Sequence, residues 1–146
     1  MNPTKVYLVQ TETTVGFLSQ SADALASTKN RPQTKPFLIS VDSIETLKKF
    51  ARIPKNFSKA VRRAEKTTYV FPCNLAVRVV KQRSHLDFLK KLTWSYSTSA
   101  NASGKNFNEA FAREKADIIV ETCSGFFEDC PSAIYKIGRQ KIRKLR

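Results

Sequence analysis

Glycine is scarce in this chain, which has only four glycines among 146 residues. The phosphate-binding loop GxxxxGK[ST] and the dinucleotide fingerprint GxGxxG both need glycines at fixed spacing, because their backbone must turn tightly around a phosphate. Neither pattern occurs in the sequence. A nucleotide, if the chain binds one, must therefore be held by side chains and by isolated backbone N–H groups.

Histidine and cysteine are also in short supply. His85 is the single histidine, so Ser-His-Asp or Cys-His catalysis would have to use it, yet it falls in a helix-like segment without a nucleophile motif nearby. Cys73, Cys123 and Cys130 are odd in number and form no CxxC pair, so neither a disulfide framework nor a zinc site is indicated. We therefore assign no metal-ligating residue in this chain.

Long apolar runs are missing as well. No stretch approaches the ~20 apolar residues that a membrane-spanning helix needs. Residues 1–5 lead directly into a strand-like segment and lack the apolar core of a signal peptide. We expect no membrane insertion and a cytoplasmic location.

Acidic residues are outnumbered: 26 Lys and Arg face 12 Asp and Glu, giving a formal net charge of +14. A domain this basic attracts polyanions such as nucleic acid or nucleotides. The alternative is a protein whose lysines are simply solvated. Residues 48–66 carry eight basic side chains and one acidic one, and residues 136–146 carry six basic side chains and none that is acidic.

The remaining composition is that of a folded domain. Hydrophobic residues make up 41% of the chain, and its length suits one domain spanning residues 1–146. Hydrophobic patterning predicts strands at 5–10, 37–41, 67–71, 75–80, 94–98, 118–120, 133–137 and 141–145. It predicts helices near 22–28, 44–51, 54–64, 84–92 and 108–115, and leaves 11–20 as a loop or strand end.

Individual residues mark where these helices begin. Asp42 with Glu45 suggests a capping box, Pro54 can open a helix, and Ser84 and Asn108 can cap two more. The alternation of strands and helices predicts an α/β or α+β layer with a mixed sheet.

The first candidate binding segment is Lys29-Asn30-Arg31-Pro32, followed by Lys35. On an extended segment, Lys29 and Arg31 would point to the same side, since side chains alternate with period two. A forked guanidinium and an ammonium together form a good phosphate clamp. Alone the pattern is weak, because a basic chain produces such pairs by chance.

Two polar segments are further candidates. Residues 97–104 place four hydroxyls, an amide and a glycine directly after a predicted buried strand, where small side chains let phosphate approach the backbone. Residues 10–17 place a polar cluster after the first strand. An ordinary polar turn explains the first equally well, and a strand-to-loop transition explains the second.

Taken in order along the chain, these segments resemble the YrdC-like family of threonylcarbamoyl-AMP synthases. QTETTVGF at 10–17 is similar to the family's PT[DE]TVYGL, and residues 29–37 to its K-x-R-P…P-L. Residues 76–78 match its A-V-R strand, residues 99–104 match its S-A-N-x-S-G loop, and residues 131–134 resemble its late S-T-[IV] motif. The resemblance covers nearly the whole chain.

The resemblance implies a fold and a reaction. The fold is a YrdC/RibB-like α/β fold, in which a twisted mixed sheet with flanking helices surrounds a basic concave cavity. The reaction joins L-threonine, bicarbonate or CO2, and ATP into threonylcarbamoyl-AMP and pyrophosphate, with Mg²⁺ bound to the ATP. The product serves threonylcarbamoyladenosine modification of tRNA. Implied partners are tRNA or double-stranded RNA, and the threonylcarbamoyl-transfer proteins TsaD, TsaB and TsaE.

The resemblance also implies roles for individual residues. The ATP-binding set is Lys29, Arg31, Lys35, Ser99, Asn101, Arg143 and Arg146. Lys29 and Arg31 are the catalytic pair within it, and either Arg143 or Arg146 closes over the nucleotide. The threonine-binding set is Thr13, Arg78 and Ser132.

Besides Ala64-Glu65, which stands where a Pro-Gly is expected, four positions depart from the family pattern. Gln10 replaces a Pro, Val15 a Tyr, Ser40 a His and Ala133 a Thr. The last three favour an alternative function, a non-catalytic module of the same fold that binds double-stranded RNA or tRNA. A third interpretation, a carbamoyl-transfer domain like that of hydrogenase maturation factors, fits a 146-residue chain less well because those domains belong to much larger chains.

Overall fold

The computed structural model describes residues 1–146 and shows one nine-stranded mixed sheet with five α-helices. The strands are β1 Tyr7–Gln10, β2 Val15–Ser19, β3 Leu38–Val41, β4 Thr67–Val70, β5 Ala76–Val79, β6 Trp94–Ser99, β7 Ile118–Ile119, β8 Ala133–Ile137 and β9 Ile142–Lys144. The helices are α1 Ala22–Lys29, α2 Ile44–Phe50, α3 Ser58–Arg63, α4 Arg83–Leu89 and α5 Glu109–Lys115, and a 3-10 turn at Lys55–Phe57 precedes α3. The predicted α/β fold with a twisted mixed sheet is confirmed.

The sheet mixes parallel and antiparallel pairs. Its spatial order is β7-β1-β2-β6-β3-β5-β4-β8-β9. The pairs β1–β7, β3–β5 and β4–β8 are parallel and the other neighbours are antiparallel. Because β4 and β8 run in the same direction, the turns that follow these two strands lie side by side at the same end of the sheet.

The two faces of the sheet are covered differently. On the face that we call the back, α1 and α5 pack on Leu8 and Phe17, and α2 and α3 pack on Ile39 and Val77. On the other face, the front, α4 covers one end through Tyr7, Leu18 and Phe88, among others. The rest of the front face has no helix over it, and the space left there is a cavity. None of the helices is long and apolar enough to cross a membrane.

The segment 11–20 is a strand over part of its length, so its prediction as a loop or strand end was wrong for residues 15–19. Every residue of β2 is buried, and β2 pairs with β1 and β6. A strand buried on both faces has no polar alternation to reveal it. Gly16 has a packing reason, because a Cβ there would come within 3.0 Å of Thr11 Cγ2 and 3.2 Å of the Thr98 carbonyl.

Two helix starts also differ from their predictions. The N-cap of α2 is Ser43, whose side chain accepts the Thr46 N–H at 3.1 Å, and not Asp42. Asp42 instead accepts the Thr46 hydroxyl at 2.6 Å. Helix α4 begins at Arg83, before the predicted cap Ser84, and has no side-chain cap. The predicted cap Asn108 is confirmed, since it accepts the Phe111 N–H at 3.0 Å.

His85 on α4 is fully buried, and neither of its ring nitrogens has a hydrogen-bond partner. Burial, and then the charge of Arg78, lower the pKa of His85 to about 3. The unfolded chain would bind a proton on this residue near its ordinary pKa of about 6.5, whereas the folded chain stays neutral until near pH 3. Lowering the pH from about 6.5 towards 3 therefore lowers the free energy of unfolding.

We predict that His85→Leu makes the protein less sensitive to acid. Below about pH 6, His85 should contribute a loss of about 1.4 kcal/mol in unfolding free energy per pH unit. The leucine variant should lose that contribution, because leucine cannot take up a proton. Urea unfolding of both proteins at several pH values between 7 and 4.5 measures the difference, and parallel pH profiles would contradict the assignment.

Candidate functional site

A cavity of about 700 Å³ occupies the uncovered part of the front face. Its floor consists largely of small side chains on neighbouring strands, including Gly16 on β2, Ser97 on β6 and Ala76 on β5. Large side chains at these positions would fill the space. The hollow is thus a direct result of small front-facing residues on the central strands.

The lining is basic, and the one carboxylate paired with it, that of Glu12, lies outside the lining. Arg31, Arg78 and Arg146 all line the cavity, whereas no Asp or Glu does. Serine and threonine residues make up much of the remaining lining, namely Thr11, Thr13, Thr14, Thr68, Ser97, Thr98, Ser99 and Ser132. Among them, Thr98 turns its side chain to the back face with Phe17. Cations and hydroxyl donors that line a cavity without carboxylates in the lining itself are suited to accepting an anion.

Arg78 is the most deeply buried of the three arginines, with 5% of its surface exposed. Its Nη1 donates to Thr13 Oγ1 at 3.3 Å and lies 3.7 Å from Glu12 Oε1. Its Nε is buried and has no partner. Burial lowers the pKa of Arg78, and the Glu12 charge opposes that effect. Arg78 thus brings a compensated buried charge to the cavity and keeps one donor free.

Lys29 is buried behind the loop that follows β6. Its Nζ donates to the Ser99 carbonyl at 2.8 Å and lies 3.3 Å from both Ser99 Oγ and Asn101 Oδ1. All three of its donors are therefore used inside the protein, and Lys29 does not line the cavity. Burial, and then the charge of Arg31, lower its pKa to about 8. Lys29 fixes the position of the loop that carries Ser99.

Lys29 and Arg31 do not lie side by side on an extended segment, so that part of the sequence prediction was wrong. Lys29 ends α1, and Asn30 then adopts the left-handed conformation with φ of 50°. The Arg31 N–H bonds back to the Ala26 carbonyl at 3.0 Å, which closes the helix end. This turn leaves Lys29 in contact with the loop that follows β6 and places Arg31 at the cavity.

Arg31 lines the cavity in a partly fixed position. Its Nη2 donates to the Pro36 carbonyl at 3.2 Å, and its guanidinium lies 4.9 Å from the centre of the Phe37 ring. Its Nε is buried without a partner. The stacking on Phe37 and the bond to Pro36 orient the guanidinium before any ligand arrives.

The last strands supply another wall of the cavity. Ser132 is buried, and its Oγ lies 3.3 Å from Thr68 Oγ1. Arg146 donates from Nε to the Ser132 carbonyl at 3.2 Å and lines the cavity. Arg143 lies on β9 opposite Lys136 and does not line it. Of the two candidate C-terminal arginines, the geometry therefore favours Arg146.

The predicted site residues fall into three groups. Six of them line one cavity: Thr13, Arg31, Arg78, Ser99, Ser132 and Arg146. Two support its wall from behind, namely Lys29 and Asn101, whose Nδ2 donates to the Ala102 carbonyl at 3.1 Å. The remaining two, Lys35 and Arg143, lie outside the lining.

Sequence reasoning gave no role to Glu12 or Thr68, which contact Arg78 and Ser132. Glu12 is 4% exposed, and it lies inside the TET motif, so a carboxylate within an otherwise hydroxyl-rich segment was the available signal. Thr68 had no such signal, because its role depends on the pairing of β4 with β8.

Metal-binding groups are sparse around the cavity. No three His, Cys, Asp or Glu side chains lie together anywhere in residues 1–146. Mg²⁺ in proteins is usually held by one or two carboxylates together with substrate phosphates. The cavity's own donors therefore do not fit a protein-held Mg²⁺, and an ion arriving with a nucleotide would be coordinated by phosphate and water.

The sequence pattern of the Sua5/YciO/YrdC family, described as "Telomere recombination", matches residues 3–146. The chain belongs to this family. The predicted resemblance is thereby confirmed. Among curated protein sequences, by contrast, none matches the chain.

Solved structures of family members share the fold. A double-alanine variant of Sua5 from P. abyssi has a TM-score of 0.82 at 22% identity, and the match covers 97% of this chain and 52% of that one. P. abyssi Sua5 complexed with L-threonine has a TM-score of 0.80 at 21% identity, covering 97% and 50%. E. coli YciO has a TM-score of 0.75 at 13% identity, covering 98% and 82%. This chain therefore spans about half the length of Sua5.

We predict that Glu12→Gln destabilises the fold by about 3–5 kcal/mol, because it leaves the buried Arg78 charge without a counter-ion. The matched control is Glu109→Gln, which removes a surface ion pair with Arg113 and should cost at most about 1 kcal/mol. Urea unfolding of both variants measures these losses. Equal losses of unfolding free energy in the two variants would show that the buried Glu12–Arg78 pair matters no more than a surface ion pair.

We predict that anion affinity in the cavity falls as pH rises through about 8, where Lys29 loses its charge. Lys29→Met should weaken binding at pH 7 and flatten this pH dependence, because the Ser99 loop loses its ammonium anchor. Lys35→Met, at an exposed position outside the lining, is the matched control and should change little. Calorimetric titration with ATP and with pyrophosphate at pH 7, 8 and 9 provides the measurement, and a flat wild-type profile would contradict the role of Lys29.

Proposed function

We propose that this chain is an L-threonylcarbamoyladenylate synthase, a nucleotidyltransferase that forms threonylcarbamoyl-AMP and pyrophosphate from L-threonine, bicarbonate or CO2, and ATP. The observation that carries the proposal is the convergence of Arg31, Arg78 and Ser99 on one cavity without a carboxylate. Membership in the family supports a role in tRNA modification and RNA binding. The L-threonine in the Sua5 complex supports threonine as one ligand.

The reaction joins two anions. The threonine amine adds to CO2 and loses a proton, which gives a carbamate. Starting from bicarbonate, the same carbamate forms with loss of water and no net release of a proton. A carbamate oxygen then attacks the α-phosphorus of ATP, and the bond from that phosphorus to the bridging oxygen breaks to release pyrophosphate. Catalysis here consists mainly of holding two anions together and stabilising charge on the phosphoryl group. No histidine base is needed for either task.

The proposed ATP end of the cavity contains Arg31, Ser99 and Arg146. The bond to Pro36 and the stacking on Phe37 already orient the Arg31 guanidinium, whose fork of donors suits phosphate oxygens. Ser99 sits on the loop that Lys29 and Asn101 support, so both of those residues act on the nucleotide by positioning it. Lys35 and Arg143 would contribute only long-range charge. Mg²⁺ would arrive bound to the ATP phosphates.

The proposed threonine end contains Thr13, Arg78 and Ser132. Arg78 keeps its Nε free while Nη1 is held by Thr13, so a carboxylate can pair with the remaining donors. The hydroxyls of Thr13 and Ser132 offer hydrogen bonds for the substrate's own polar groups. Because Glu12 offsets part of the Arg78 charge, this end attracts one carboxylate with little excess charge.

The alternative is a module of the same fold that binds tRNA or double-stranded RNA without turnover. Ser40 favours it, because a buried hydroxyl without a partner stands where the family pattern has a histidine. Val15 favours it less, since that side chain belongs to the core and not to the cavity. Partnership with TsaD, TsaB and TsaE and a cytoplasmic location remain part of the proposal.

We predict that the protein, given ATP, Mg²⁺, bicarbonate and threonine, releases pyrophosphate and forms the adenylate, both detectable by mass spectrometry. Arg31→Ala should abolish turnover and lower the unfolding free energy by about 1–2 kcal/mol, because it also removes the bond to Pro36 and the stacking on Phe37, and it should leave the protein folded. The matched control is Arg83→Ala at an exposed position on α4, which should retain activity.

Threonine dependence separates the two functions. ATP consumption that does not depend on threonine would contradict the synthase and favour the alternative. The same conclusion would follow if the protein consumed no ATP but still bound RNA. Normal turnover in Arg31→Ala would remove Arg31 from the site.

A further inference from the structure

Two adjoining hollows lie on the back of the protein, where no substrate role has been assigned. Their volumes are about 560 Å³ and 410 Å³, and both are lined by Arg52 and Lys55. Because they share these two residues, we treat the two neighbouring hollows as one surface, which we call the basic cleft. Its charged members are Lys48, Arg52, Lys55 and Arg139.

The basic cleft and the cavity lie on opposite faces of the sheet. Helix α2, which carries Lys48, packs through Leu47 against Ile39 and Val77. Their neighbours along the strands, Leu38 and Arg78, line the cavity instead. Because successive side chains on a strand point to opposite faces, a molecule in the cleft is separated from the cavity by the sheet itself.

Three separate parts of the chain bring the cleft together. Lys48 and Arg52 come from α2 and the residue after its cap, Lys55 opens the 3-10 turn, and Arg139 lies in the turn between β8 and β9. The turn between β4 and β5 adds Cys73. Since β4 and β8 are parallel neighbours, the turns that follow them lie next to each other at the same end of the sheet.

The positive charge of the cleft is not neutralised within the protein. The ion pairs of the structure involve Lys66, Arg78, Arg113 and Lys115, and none includes a cleft residue. The only acidic residue within positions 48–66 is Glu65. Like charges gathered on one surface repel each other, so a partner of opposite charge lowers the free energy of the whole arrangement.

The chemistry of the surface favours a phosphate backbone over a membrane. The exposed large apolar side chains are Met1, Ile118, Phe127 and Leu145, and none lies in the cleft. A membrane-docking surface would carry apolar groups able to enter the lipid. Arginine forks and lysines without apolar anchors are instead typical of contacts to phosphodiester oxygens.

We propose that the basic cleft docks the phosphodiester backbone of a structured RNA, on the face opposite the cavity. The RNA is held there by charge and shape, so contact with the cleft is tolerant of base sequence. The inference goes beyond the proposed synthase activity and does not depend on it, because a protein without turnover would still present the same cleft. An RNA docked at the back leaves the cavity open to small ligands.

The three exposed cysteines allow a footprint on the unaltered protein. Cys73 lies in the cleft. Cys130 precedes Pro131 and Ser132 of the cavity wall, and Cys123 lies on the same connection between β7 and β8. The probe is N-ethylmaleimide, with labelling at each cysteine followed by mass spectrometry, with and without a tRNA transcript. If nine-tenths of the protein is bound, labelling at Cys73 should slow about tenfold, because only the free fraction reacts.

Protection confined to Cys73 supports docking at the back. Protection of Cys130 and Cys123 with Cys73 unchanged overturns the proposal, because the RNA would then sit at the cavity. Excess ATP should not restore labelling at Cys73, and restoration by ATP would likewise overturn it.

Charge reversal provides the second test. Arg52→Glu, Lys55→Glu and Arg139→Glu are combined in one variant, and Lys5→Glu, Lys90→Glu and Lys91→Glu in a matched control. Both variants lower the net charge equally, and all six positions are exposed. The cleft variant should bind the tRNA transcript at least about tenfold more weakly and lower the slope of log affinity against log salt by about three. The control should change that slope by less than about one.

Equal losses in the two variants would show a general charge effect and overturn the proposal, provided that far-UV circular dichroism shows both variants folded. If the triple variant does not fold, the single variants Arg52→Ala and Arg139→Ala take its place. In each of them, the slope of log affinity against log salt should fall by about one. Vesicles with anionic lipid and a poly-glutamate peptide complete the comparison. Tighter cleft-dependent binding to either one than to RNA overturns the assignment of the partner.

Discussion

The cavity depends on the compensated charge of Arg78. A guanidinium this deeply buried would be strongly unfavourable alone, and Glu12 with Thr13 makes it tolerable. Those two residues belong to the segment between β1 and β2, so the same contacts hold that segment against β5. Because they occupy only Nη1, the interactions that stabilise the buried charge leave Nε unpaired in a side chain that lines the cavity.

The shape of the cavity costs stability, which packing elsewhere in the protein must offset. Small residues such as Gly16, Ser97 and Ala76 leave the central strands without an apolar cover on this side. Stability then rests on the back face, where both larger core clusters lie, and on the contact of α4 at the far end. Keeping His85 neutral beside Arg78 avoids adding a second buried cation to the same face.

Sequence patterning predicted most elements because their apolar residues alternate or recur with clear periods. It failed at β2, where burial on both faces removes the alternation, and at two helix starts, where neighbouring hydroxyls compete to cap. For the site, motifs brought out six residues that do line the cavity, such as Arg31 and Ser99. They could not show that Lys29 turns inward, because that depends on the left-handed Asn30 at the end of α1. Nor could they reveal the partnership of Thr68 with Ser132, which only strand pairing creates.

The large positive charge of the chain is divided between two surfaces with different properties. In the cavity, Arg78 is buried, Arg31 is half-buried and Arg146 is exposed. Hydrogen bonds restrain all three, so each can discriminate among small anions by position. In the basic cleft the cations are exposed and unpaired, and salt screens such charges strongly. Affinity for a small substrate should therefore depend on geometry, and affinity for a polyanion on ionic strength. A protein that must bind both benefits from keeping them on opposite faces, because neither then competes for the same cations.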